Sequence, residues 1–318
     1  MRARPVASLV AVVLLLAACA GSPSEPAAAG SATRGSPSSG AAAAFPVTIT
    51  DDDGQQVTID AAPQRIVTFA PSMTETLYAI GLGDRLVGVS GRFDDYPAAA
   101  KQVQEIGGAG EFGVDPNVEE VVSLQPDLFL TIAGGDQWKE TLRDLDIPVV
   151  TLNATDLPDL LHDIRTIGTI TGAARSADRL AAKMRSAADA VTASVEAAGG
   201  SVSCFFEVYF PPLTTIGPDT FIADLLRRAG CDLTTAHAKS DYPTWSIERL
   251  IADPPDVYLA TAESAKGPDA VAGRPGFDAI PAVAAGAVAL VDSDLVTRPG
   301  PRVIEGLEAL EAALHPEG

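Results

Sequence analysis

Residues Ser176 to Ala197 carry Leu180, Met184, Ala187, Val191 and Val195 on one stripe at helical spacing, with no proline or glycine among them. This predicts an unbroken amphipathic helix. At 1.5 Å per residue it spans ~33 Å, about the width of a small domain. A rod of that length constrains the fold more than any other segment, because it sets the distance between whatever is built on either side of it. Both sides read as strands alternating with helices. Ahead of it lie a hairpin (47–50 and 57–60 around Asp53-Gly54), a strand from Arg65 to Pro71 and a helix to Gly81 opened by a capping box, Ser72 to Glu75. Strands at 86–90, 127–132 and 149–152 follow, separated by helices at 116–124 and 138–145. Behind it come strand 203–208, helices 221–229 and 247–251, strands 257–260 and 288–291, and a closing helix from Val303 to Leu314. That rhythm predicts α/β units with largely parallel sheets. The fold class expected is two Rossmann-like lobes, 45–173 and 200–318, joined by a single long backbone helix within 174–199.

The two series share a phrase. Residues 117–127 (NVEEVVSLQPD) and 245–256 (WSIERLIADPPD) each place a short amphipathic helix, headed by Glu119 or Glu248, before Pro-Asp and a strand. Two lobes of related design are expected.

The N-terminus constrains location. Arg2 and Arg4 precede an apolar run, Val6 to Ala18, too short for a hydrocarbon core that needs about 20 residues, so residues 1–18 read as an export signal. The end of the run, Leu16-Ala17-Ala18-Cys19, resembles the lipobox of bacterial lipoproteins and makes Cys19 the lipidated first mature residue. Residues 20–44 are Ala, Gly, Ser and Pro apart from Glu25, Thr33 and Arg34, a composition unable to offset its ordering entropy, so 19–44 is expected to be a disordered tether. The formal charge of −20 becomes more negative once two arginines leave with the signal. Such acidity argues against nucleic acid or an anionic lipid surface as partner and suits a basic receptor. Contact with the membrane is expected through the lipid alone. Cys204 and Cys231 either pair in an oxidising exterior or stay as separate buried thiols, and the exported location favours the disulfide.

Enzyme machinery is absent: there is no Gly-x-Ser-x-Gly turn, His-Glu-x-x-His, phosphate loop or Cys-x-x-Cys. The three histidines, His162, His237 and His315, are far apart in sequence, so neither a metal cage nor a resident cofactor is expected. Alanine at His237 abolishing a turnover would mark the enzyme alternative. The segment Arg298-Pro-Gly-Pro-Arg302 reads equally as a rigid turn aiming guanidiniums at a cleft and as a helix entry pairing with local acids. Aromatics fall on loops after strands: Phe93, Tyr96, Phe112, Tyr209, Phe210, Tyr242 and Trp245, the last two in the polar stretch KSDYPTW. Sites for bulky ligands combine such apolar faces with a few polar anchors.

These features together resemble the metal-chelate class of periplasmic binding proteins, which serve ABC importers of cobalamin, ferric siderophores and haem. The resemblance rests on residues 63–75 (PQRIVTFAPSMTE), 79–90 (AIGLGDRLVGVS), Asp95-Tyr96-Pro97, Pro126-Asp127 and the Arg298–Arg302 turn in matching order. It implies the class III architecture and a monomeric, non-enzymatic lipoprotein outside the cell membrane that captures a metal chelate for a permease and its ATPase. A corrinoid is favoured; a ferric siderophore or haem is the alternative, and a non-transport surface lipoprotein a further one. By the resemblance, Glu119 and Glu248 dock on the permease, and Phe93, Phe112, Leu213, Tyr242, Trp245 and Arg298 lie at or beside the cleft. The chain departs from cobalamin binders in having only Trp138 and Trp245 as tryptophans.

Overall fold

The computed structural model describes residues 45–107 and 115–316. The expected leader, the tether with Cys19, and Phe112 lie outside the described residues.

The chain opens with the hairpin β1 (Val47–Thr50) and β2 (Gln56–Ile59), antiparallel with Thr50 opposite Gln56. Its tip docks on the rest of the molecule: the fully buried Lys139 ammonium reaches Asp53 at 2.8 Å, and Asp51 accepts from the Thr151 amide at 3.1 Å. The first α/β series then runs β3 (Ile66–Thr68), α1 (Pro71–Ala79), β4 (Leu86–Gly88), α2 (Val118–Ser123), β5 (Leu128–Thr131), α3 (Asp136–Asp144) and β6 (Val149–Thr151). All its strands are parallel, in the order β4-β3-β5-β6.

Two long helices follow, α4 (Leu157–Thr171) and α5 (Ala174–Ala197). The second is the expected rod, two residues longer at its start. Its buried face is Ala177, Ala181, Met184, Ala188, Val191 and Val195, so Leu180 and Ala187 of the expected stripe sit half-buried at its edge. Small residues win the centre because α4 approaches closely: a Cβ at Gly168 would lie 2.3 Å from that of Ala177.

The second series is β7 (Val202–Tyr209), β8 (Thr214–Thr215), α6 (Phe221–Arg228), β9 (Cys231–Leu233), α7 (Ile247–Ala252), β10 (Val257–Thr261), α8 (Pro268–Ala272), α9 (Pro281–Ala284), β11 (Val288–Val291), α10 (Ser293–Val296) and α11 (Val303–Leu314). The short antiparallel β8 and the parallel β9 both pair with one side of β7, and β10 then β11 extend the other. With β8 set aside, the parallel order β9-β7-β10-β11 repeats β4-β3-β5-β6. The fold is two Rossmann-like halves joined by one long helix. Cys204 of β7 and Cys231 of β9 form the expected disulfide, with Cα atoms 5.5 Å apart.

The repeated phrase is repeated structure. α2 and α7 are six residues each, N-capped by Asn117 and Ser246. After each, the aspartate of Pro-Asp accepts backbone N–H groups at the entrance of the neighbouring strand: Asp127 from Gln64 (2.7 Å) and Arg65 (2.8 Å), Asp256 from Ser203 (3.1 Å). One hydrophobic cluster runs through both halves, from Leu77 and Leu130 through Ile164 and Met184 to Phe206, Leu259 and Leu307. Satellite clusters sit around Phe129 and Trp138 in the first half and around Phe205 and Tyr258 in the second.

One local expectation is corrected. The cap of α1 is Ala70, without a side-chain hydrogen bond. Pro71 supplies the fixed φ suited to a first helical residue, Ser72 lies inside the helix, and Glu75 is turned to a distant partner.

Candidate functional site

In open α/β sheets, ligands sit outside the carboxyl ends of the strands, in the crevice where strand order reverses. Here that crevice falls between β3 and β5 in one half and between β7 and β10 in the other. The side chains near those ends are apolar yet exposed: Phe93 and Tyr96 after β4, Ile132 after β5, Tyr209 ending β7, and Tyr242 on the segment after β9 are each at least 43% accessible. Soluble proteins rarely leave so many large rings uncovered in related loops without a partner for them.

The Phe93 loop is held from both halves. From the first, buried Asp94 accepts from Thr74 Oγ1 of α1 (2.5 Å), the Gly91 amide (3.0 Å) and the Ser90 hydroxyl. From the second, Arg298 Nη1 donates to the Phe93 carbonyl at 3.0 Å and stands 3.5 Å from Asp95. Its other amino group meets Asp294 at 2.5 Å, a carboxyl that burial pushes up despite the opposing arginine charge. Arg298 thus touches the cleft loop and pairs with acids at once, so both sequence readings of its turn apply.

The other arginine of that turn, Arg302, donates twice to buried Glu75, at 2.9 and 2.6 Å, and lies over the Tyr96 ring at 4.2 Å. Hydrogen bonding to Glu75 raises the Arg302 pKa further above its already high ordinary value. Gly300 permits the approach, since a Cβ there would sit 3.3 Å from the Ser72 Cα. The turn therefore clasps the second half to the head of α1.

In the second half the loop leaving β7 is pinned from beneath. Glu207, fully buried, accepts from the Tyr258 and Ser264 hydroxyls and from Arg274 Nη1 at 2.6 Å. Burial, together with the Glu207 charge, pushes the Tyr258 phenol far up, so it stays a donor. The Arg274 guanidinium stacks on Phe210 at 4.2 Å and Phe277 at 5.1 Å. Leu213, expected beside the cleft, is only 5% exposed and packs into the Phe205–Tyr258 cluster. Trp245 is half-buried with Arg249 of α7 stacked over it at 4.7 Å.

Glu119 and Glu248 are exposed at the second position of α2 and α7. Hydrogen bonds from its own backbone amide and from Ser246 lower the Glu248 pKa. Each helix start is stitched to a cleft loop by backbone hydrogen bonds. Asn117 N–H donates to the Ile106 carbonyl (2.9 Å), whose own N–H donates to Val89 (2.8 Å) just past β4; Trp245 N–H donates to the Leu213 carbonyl (2.9 Å).

Sequence reasoning missed Asp94, Ile132, and the roles of Glu75 and the Glu207–Arg274 pair. The Phe93-Asp94-Asp95-Tyr96 string was the available signal for Asp94; the others depend on contacts between distant residues. Among the described residues no group of three His, Cys, Asp or Glu side chains is placed to hold a metal ion.

The chain matches the family described as periplasmic binding protein over residues 66–295. It is 37% identical over 285 residues to the uncharacterized ABC transporter substrate-binding lipoprotein YvrC of Bacillus subtilis (strain 168), covering 86% of this chain and 87% of that protein. To the cobalamin-binding protein of Halobacterium salinarum (strain ATCC 29341 / DSM 671 / R1) it is 32% identical, over 96% of this chain and 83% of the other. Among solved structures it superimposes with a TM-score of 0.69 on a possible iron-binding (periplasmic solute-binding) protein from Staphylococcus epidermidis ATCC 12228, with 30% identity over 80% of this chain and 100% of that one.

Proposed function

The chain belongs to the periplasmic binding protein family, the extracytoplasmic substrate-binding components of ABC importers, and on that premise we propose that its own cargo is a bulky metal chelate, a cobalamin or related corrinoid ahead of a ferric siderophore or haem. The observation that carries this reading is the set of exposed rings and Ile132 around the carboxyl ends of both sheets. A large, flat, mostly neutral ligand suits apolar walls better than a small ion, which needs converging charges. Similarity to the cobalamin-binding protein across 96% of the chain supports the corrinoid.

In this reading Phe93, Phe112, Tyr242 and Trp245 supply apolar contact. Arg298 donates at the rim to amide or anionic oxygens of the cargo while holding the Phe93 loop, and Leu213 backs the second-half loop from inside. No covalent step is required of the protein. The hydrophobic cluster shared by both halves favours a small movement on loading. Glu119 and Glu248 pair with basic residues of the two membrane subunits, helped by the acidity of the whole chain. The receptor acts as a monomer held at the membrane by lipid on Cys19.

Calorimetric titration of residues 45–318 with cyanocobalamin, haemin and a ferric siderophore panel tests the cargo. Saturable one-to-one binding of the corrinoid, weakened in Phe93→Ala and Tyr242→Ala, is expected. Binding of haemin or a siderophore alone replaces the corrinoid with the alternative, and flat traces throughout sink the chelate reading. Charge reversal at Glu119 and Glu248 is expected to abolish uptake with cargo affinity intact. Cys19→Ser is expected to release the protein from the membrane fraction, and continued retention there would contradict the lipid anchor.

A further inference from the structure

Three exposed aliphatic side chains, Val122, Leu145 and Ile251, fall outside the cleft account, and two of them occupy equivalent places. Val122 of α2 is 38% accessible and Ile251 of α7 is 44% accessible. Each is three residues after the exposed glutamate of its helix, so glutamate and aliphatic lie on one face a turn apart. The rest of the unit matches position by position. Val121 and Leu250, the residues just before them, are the buried anchors; Pro126 and Pro255 are buried four residues further on; Asp127 and Asp256 make the strand-entry hydrogen bonds already described. Single exposed apolar residues need no explanation. The same exposed aliphatic at the same offset from the same exposed glutamate, in two halves whose sequences otherwise differ, does.

We propose that Val122 and Ile251 are contact residues of the permease interface, each entering an apolar socket beside the basic group that takes the neighbouring glutamate. The inference rests on the reading that Glu119 and Glu248 dock. It goes further because an ion pair left in water contributes almost nothing to binding. An acidic side chain becomes an anchor when an apolar neighbour keeps water out of the contact. The partner's chemistry follows from the pattern: a surface bearing a positive charge next to an apolar depression, presented twice. Two copies of one membrane subunit offer that, and the acidity of this chain is complementary to it.

The test measures docking of the cargo-loaded chain on the membrane-subunit pair of its importer, with the ATPase, held in lipid nanodiscs and read by biolayer interferometry. Val122→Ser and Ile251→Ser are each expected to weaken docking about tenfold, or 1.4 kcal/mol, and together approaching a hundredfold, with cargo affinity and thermal midpoint unchanged. Leu145→Ser, at a residue 50% accessible beyond α3, is the control for general stickiness and is expected to dock like the parent. If Glu119→Lys/Glu248→Lys loses docking while Val122→Ser/Ile251→Ser retains it, this inference is overturned and the glutamate reading stands. If neither pair changes docking, the glutamate reading fails and takes this one with it. Equal weakening by Leu145→Ser overturns it as well, since the effect would not belong to the repeated face.

Discussion

Glu75→Gln isolates the clasp between the two halves. The substitution keeps the side-chain shape and one acceptor but removes the charge that receives Arg302 at 2.9 and 2.6 Å and stands 3.9 Å from Arg298. The Glu75 side chain is 3% exposed and that of Arg302 15%, so solvent replaces little of what is lost. Removing one partner of a buried pair costs about 3–5 kcal/mol, and the retained amide oxygen brings the expected loss to about 2–3 kcal/mol. At about 2–4 °C per kcal/mol for a chain of this size, the thermal midpoint should fall by about 5–10 °C. Added salt should change the difference little, because buried pairs are weakly screened. Cargo affinity should fall as well, since Arg302 also supports Tyr96. Calorimetric melting of the parent, Glu75→Gln, Arg302→Met and the double variant Glu75→Gln/Arg302→Met gives the coupling directly. The double variant should cost clearly less than the summed single costs, because no charge is left buried alone. A Glu75→Gln midpoint within a degree of the parent, or strict additivity in the cycle, refutes the clasp as an energetic contact.

Three other outcomes are expected. Burial, with the Asp52 and Asp159 charges, pushes Asp163 up to about 8; the native chain then keeps a proton that the unfolded chain releases near pH 4, so stability falls as pH rises from about 4 to 8. Asp163→Asn should flatten that slope and add about 1–3 kcal/mol at pH 8, read from urea midpoints across the range, and an unchanged slope contradicts it. Replacing Cys204 and Cys231 with alanine opens a cross-link between residues 27 apart, worth about 3–4 kcal/mol by loop entropy; an unaltered melting midpoint tells against it. Arg274→Met leaves Glu207 buried without its cation and should destabilise by about 3 kcal/mol while weakening cargo binding through Phe210; full stability and affinity in this variant would show that the network does not position the loop.

Periodicity carried most of the architecture, because strand and helix patterns are local. Where it failed, the reason is specific. The helix α4 is absent from the sequence expectation although Asp156 caps it, Pro158 opens it and Gly172 ends it; Gly168, Thr166, Thr169 and Thr171 lower its intrinsic helix propensity. The packing face of α5 was shifted because large side chains were weighted above the alanines that let α4 approach. Ser72 and Glu75 matched a capping box, yet the glutamate serves Arg302, 227 residues away, and no local rule anticipates that. The same holds for Arg298 and the Phe93 carbonyl, 205 residues apart. Short helices between 268 and 296 were missed because they last barely a turn and begin at Pro268, at Pro281 or just after Asp292, residues that also read as loop.

The stitching of α2 and α7 to the cleft loops bears on how a loaded receptor could be told from an empty one. Ile106 links Asn117 to the strand that launches Phe93, and Leu213 links Trp245 to the loop that follows Tyr209. Under the proposed docking, occupancy has a local relay in each half, two hydrogen bonds long at most, and no message has to cross α5. The partner then senses cargo through a local report from each half rather than by closure of the molecule as a whole.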